Sequence, residues 1–166
     1  MEFAKIVTLG LFAAIVYGVI HDQATARVCL EYFTIGHPAL IRTTSPTLLA
    51  LAWGFVGTWW VGLALGVIVA MAARHGGRPQ LSAAQVRPYI LGLMVAVGAL
   101  ASMSGLLAYL LATRGAIALS KDWSDLLPDG AQIPFLVDVW THSASYLFGI
   151  LGGAVAAVLI YRRRTA

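Results

Sequence analysis

The chain has 166 residues, 60% of them apolar and 11% charged, with a mean hydropathy of +0.83 and a formal net charge of +4. Soluble domains carry about 25% charged residues, so this composition excludes an ordinary soluble domain and predicts a single membrane domain spanning 1–166. The lone Cys29 excludes an internal disulfide and any Cys-x-x-Cys motif, and with them the thiol oxidoreductases that reduce or oxidise quinones.

Four apolar runs follow one another: about 3–20, 47–73, 88–112 and 135–161. Each is near or above the roughly 18–20 residues that a helix needs to cross about 30 Å of hydrocarbon. Backbone groups in a bilayer core have no water to bond, so long runs without alternation predict helices. The fold class expected is therefore all-α, an integral bundle of four transmembrane helices. Lys5 ahead of the first run and Ala24-Thr25-Ala26 behind it imitate a cleavable signal, but Asp22 lies between run and site, which is atypical.

The first connection, 21–46, opens with His21 to Pro38, HDQATARVCLEYFTIGHP, the part of the chain densest in reactive side chains. A helix continued from Phe3 to Thr34 would be about 48 Å long, beyond the bilayer, so a bend or an interfacial helix is expected after about Asp22. Arg27 and Glu31, four apart, predict an ion pair worth only about 0.3–0.5 kcal/mol when solvated. Pro38 bars further helix, because the residue before proline avoids the helical region. Cys29 reads as a small packing residue or, beside His21 or His37, as a thiolate ligand.

Small residues recur four apart at Gly10, Ala14 and Gly18, at Gly62 and Gly66, and at Gly149 and Gly153. This spacing lets helix backbones approach closely in lipid, either within one bundle or at a homo-oligomer seam. Tyr17, Trp53, Tyr109 and Trp140 fall where one interfacial aromatic belt is expected, Tyr89 and Tyr161 where the other is. Trp59 and Trp60, near mid-helix, read as the lining of a lipid-tail pocket or as packing filler. The second outer-face connection, 113–134, predicts a short helix capped by Ser120 and stopped at Pro128-Asp-Gly, with Trp123, Leu126 and Leu127 toward lipid or the bundle. It is either a lid over a site or a plain interfacial loop.

Lys5, Arg74, Arg78, Arg87 and Arg162 to Arg164 share one side with the single acid Glu2. By the positive-inside rule that side, with both termini, is cytoplasmic, and the locus expected is a bacterial inner membrane. Topology thus accounts for the basic balance without a nucleic-acid partner, and Arg162 to Arg164 suit anionic lipid head groups. The opposite, outer side collects His21, His37 and His142 with Asp22, Glu31 and Asp138. Asp138 and His142 share a helix face, four residues apart, with Ser145 continuing it. A carboxylate and an imidazole so spaced suit a shared metal, or a carboxylate that orients a histidine for proton transfer. The candidate ligands are His21, Asp22, His37 and His142; the candidate acid/base groups are Glu31 and Asp138. Mixed imidazole and carboxylate donors suit Zn, Fe, Mn or Cu. The same residues can equally form a structural polar cap, and His75 reads as a solvated loop residue.

HDQ-x-T-x-R followed by EYFT-x-x-HP resembles a stretch of small, uncharacterised bacterial four-helix membrane proteins, and that resemblance implies no activity. Asp138-x-x-x-His142 resembles part of a copper site in the membrane subunit of particulate methane monooxygenase, but Val155 stands where a further histidine is expected. Four-helix dihaem cytochromes are also similar in architecture; with His75 in a loop, that comparison allows one haem at most, between His21 and His142. A transporter is disfavoured because only Thr58, Ser102 and Ser104 offer polar groups near mid-helix. The expectation is a metal-dependent enzyme on a lipid or amphipathic substrate. The alternatives are a non-catalytic subunit or assembly factor with a membrane partner protein, and a haem or copper electron-transfer protein.

Overall fold

Ser45 and Ser82 start two of the long helices by offering side-chain oxygens to backbone N–H groups three residues on. Ser45 accepts from Leu48 ahead of Pro46, whose missing N–H costs nothing at a first helical position, and Ser82 and Gln85 form a reciprocal capping box. The computed structural model describes residues 1–164 and contains α1 (Glu2–Val28), α2 (Leu30–Thr34), α3 (Pro46–Arg74), α4 (Ala83–Thr113), α5 (Lys121–Leu126) and α6 (Gln132–Arg163). The four long helices are long and apolar enough to cross a membrane. Large apolar side chains cover their outward faces, as bilayer solvent requires.

The first helix continues past its apolar run to Val28 and breaks at Cys29, whose φ of −146° and ψ of 105° are extended. The turn expected near Asp22 therefore falls seven residues later, and the polar stretch gains helical geometry. Because the break separates Arg27 from Glu31, their expected ion pair does not form. Arg27 instead donates to the Gln23 side chain at 2.7 Å and to Thr47 Oγ1 at 2.9 Å.

α1 lies along α3 and α4 along α6, with α1 also touching α4 and α3 touching α6. The α1–α3 seam is backbone against backbone. A Cβ on Gly10 would stand 2.7 Å from Gly66 Cα, one on Gly54 2.6 Å from Val19 Cα, and one on Gly62 2.6 Å from Ala14 Cβ. The small residues at 10, 14, 18, 62 and 66 are thus used within this chain. Gly149 differs, since a Cβ there would meet nothing within 4 Å.

At the basic end, Arg164 is 1% exposed and donates to the carbonyls of Ala72, His75, Arg78 and Pro79 at 2.8–3.0 Å. It thereby neutralises the carbonyl end of α3 and ties the last helix to the α3–α4 connection. Arg164→Ala is expected to destabilise the bundle by about 2 kcal/mol or more, since it leaves several buried acceptors unmet. Arg164→Lys should restore only part, because an ammonium lacks the planar fork. Unfolding in mixed micelles by graded dodecyl sulfate measures both.

Candidate metal centre

His21 and Asp22 are consecutive on α1, so their side chains diverge by about 100°. One partner can meet both only by approaching between them, and His142 of α6 does so. His21, Asp22 and His142 each offer a ligand atom, and these three atoms lie within 4.8 Å of one another. Tetrahedral ligands on a zinc-sized ion stand about 3.3 Å apart, so side-chain adjustments of about 1 Å would close the group on an ion.

The hydrogen bonds orient both rings. His142 donates from Nδ1 to the Asp138 carbonyl at 2.8 Å, which leaves Nε2 as a lone pair facing Asp22 Oδ1 at 3.3 Å. Two acceptors so placed oppose each other unless a proton or a cation lies between them. His21 Nδ1 sits 3.4 Å from Tyr17 Oη, which is 2.6 Å from Ser145 Oγ, while His21 Nε2 is buried with no partner among the described residues. Engaging Nδ1 and freeing Nε2 is the arrangement by which outer groups prepare histidines for metals.

α2 closes the site from above. The break at Cys29 lets Tyr32 fold back to stack on His142 with ring centroids 4.3 Å apart, and Phe33 meets the same ring edge-on at 5.8 Å. The His21 and His142 rings also touch edge to face at 4.8 Å. Rings in such contact leave no flat slot between them for a porphyrin, which weighs against the single-haem arrangement. Burial pushes the Tyr32 hydroxyl well above its ordinary range, with the Asp138 carboxylate adding to the effect.

The other candidates are separated from this group. His37 lines the same groove as His21, Asp22 and His142, with Nδ1 given to the Tyr32 carbonyl at 2.8 Å and its ring against Trp53 at 4.8 Å, but it is not one of the three clustered residues. Glu31 accepts from the Cys29 thiol at 3.4 Å and lies away from the cluster. Asp138 is 0% exposed and both its carboxylate oxygens lack partners among the described residues. Asp138 borders a second crevice, between α1, α4 and α6, with Thr25, Ser102 and Thr141, while its main-chain carbonyl holds His142. The i, i+4 relation of Asp138 and His142 thus acts through the backbone.

Cys29 is 2% exposed and packs with Leu127, Ala131 and Phe135. Burial pushes its thiol up to about 12, far from thiolate chemistry at neutral pH. Maleimide at pH 8 is expected to leave it unmodified in the folded protein and to modify it fully after unfolding in dodecyl sulfate. An unfolded thiol ionises near 9, so Cys29 favours unfolding as pH rises through that value toward 12.

α5 forms as expected, although Ser120 makes no side-chain cap bond. Trp123 lies against Phe135 at 5.3 Å and Leu127 is buried, so α5 covers the Cys29 cluster and does not line the groove. Trp59 and Trp60 face outward, 43% and 53% exposed, and neither fills the interior nor lines the groove. Sequence reasoning placed Tyr17 and Trp53 in a belt and assigned no site role to Tyr32 or Tyr146, yet all four line the groove. The i, i+4 spacing of Tyr17 to His21 was the one legible signal. Compared with protein-family models, with curated proteins and with solved structures, the chain matches none.

Proposed function

We propose that the protein is a membrane-embedded metalloenzyme in which His21, Asp22 and His142 hold one divalent transition ion. The observation that carries this is the pair of histidines whose Nδ1 atoms are engaged elsewhere, one leaving an orphaned Nε2 and the other aiming its lone pair at a carboxylate. Two imidazoles and one carboxylate leave coordination positions open, as catalytic sites require, and suit Zn, Fe or Mn. The ion would act as a Lewis acid or activate water or oxygen toward a lipid or amphipathic substrate. His37, with Nδ1 fixed, presents Nε2 to the same groove for proton transfer. Asp138 serves in this reading by holding His142 in its tautomer.

The charge distribution supports a bacterial inner membrane with both termini cytoplasmic and the metal centre near the outer face. Elemental analysis of protein purified without chelator tests the reading, with about one ion per chain expected in wild type and a clear loss in Asp22→Asn. A wild type free of transition metal, even after incubation with Zn, Fe or Mn salts, would sink it.

A further inference from the structure

The groove that ends at the metal centre runs down between α1, α3, α4 and α6 as a cavity of ≈140 Å³. Gly18, Gly57, Val61, Leu65, Val97 and Gly149 line its depth, so its walls below the histidines are mainly apolar, with the hydroxyls of Tyr17, Thr58, Ser145 and Tyr146 among them. Gly149 has open space where a side chain would go, unlike the glycines of the α1–α3 seam, so its lack of a side chain leaves room in the groove. Across the groove mouth, α3 and α6 are bridged by Tyr146, whose hydroxyl donates to the Gly57 carbonyl at 3.1 Å, with Trp60 stacked outside it at 6.4 Å. Tyr146 is 42% exposed, so the groove mouth it spans lies at the outward, apolar face of the bundle.

At the upper end, Trp53 lines the groove beside His37, and its buried indole N–H has no acceptor among the described residues. Indole only donates, so the missing partner is an acceptor oxygen or nitrogen. A bilayer supplies such atoms at this depth on amphiphile head groups. Sites that enclose a whole drug-sized ligand measure about 300–1,000 Å³, so this cavity encloses part of one chain and leaves the remainder in the bilayer.

We infer that the groove is a lateral slot for one hydrocarbon chain of a single-chain amphiphile, whose oxygen-bearing head accepts from Trp53 and meets the ion between His21, Asp22 and His142. The inference names the substrate class for the proposed metal site and rests on that reading. Two-chain phospholipids are expected to stay outside, because a cavity of ≈140 Å³ holds only part of one chain.

The test uses the full chain in nanodiscs with palmitic acid carrying a photoactivatable diazirine, with adducts mapped by mass spectrometry and metal content read on the same samples. Saturable labelling of 53–65 and 145–149 is expected in wild type, with loss of that labelling in Gly149→Leu, whose Cβ enters open space and whose longer side chain occupies the slot. Trp53→Phe should raise the concentration that half-saturates labelling. Phosphatidylcholine bearing the same group should give only non-saturable labelling of outward faces. Wild type that holds metal but labels without saturation overturns the slot and spares the metal site. Saturable labelling unchanged in Gly149→Leu, or equal from phosphatidylcholine, also overturns it. Metal-free protein that still labels saturably, with loss in Gly149→Leu, supports the slot and overturns only the metal reading.

Discussion

His142→Ala is expected to yield a folded four-helix protein that has lost its metal. His142 is the one candidate ligand of the three that comes from α6, so without it α1 offers only His21 and Asp22, which diverge around their helix. Changing groups behind a ligand already costs about 10- to 100-fold in metal affinity, and loss of the ligand itself should exceed that. The contacts removed, Tyr32 stacked above and His21 edge-on, lie at one end of the bundle, away from the α1–α3 seam. Circular dichroism should therefore stay near wild type while metal per chain, measured by elemental analysis, falls to background. His142→Ala protein that keeps its metal would place the site elsewhere. Tyr17→Phe offers a milder step, because it frees the His21 ring to turn without deleting a ligand.

Gly66→Leu is expected to abolish the native bundle. A single Cβ at position 66 would lie 2.7 Å from the Val7 carbonyl oxygen and 2.9 Å from Val7 Cα, both backbone atoms that no rotamer change can move. Ordinary overpacking costs about 1–3 kcal/mol where side chains give way. Here the helices themselves must part, which forfeits close packing along the whole seam, the main source of helix association in lipid. Gly66→Ala should lower resistance to dodecyl sulfate clearly, and Gly66→Leu should leave no cooperative transition. Gly149→Ala, facing open space, should be near neutral and serves as the control.

Hydropathy made the four long helices legible, since length and apolarity alone demand them. It could not set where α1 ends, because His21 to Val28 is polar enough to read as a loop and is held helical by tertiary contacts of Asp22, Thr25 and Ala26. The extended backbone at Cys29 has no local signature, as neither proline nor glycine marks it. His21, Asp22 and His142 are legible as candidate ligands by residue type, and their meeting requires knowing that α1 stays helical past Ile20. Glu31 shares the outer-side connection with them, which residue type and sidedness can show, whereas its actual partner, the Cys29 thiol, follows from the break in the chain. Asp138 was selected for its carboxylate, while what reaches the site is its peptide carbonyl, which any residue type would supply. Trp53 and Tyr146 gave no sequence signal, since aromatic residues in such helices are ordinary.

The Arg164 clamp also acts as a fastener between elements distant in sequence. From the C-cap of α6 its guanidinium reaches the carbonyls of Ala72, His75, Arg78 and Pro79. Four carbonyls on two elements meet one planar cation, so the α3–α4 connection and the end of α6 hold each other in register.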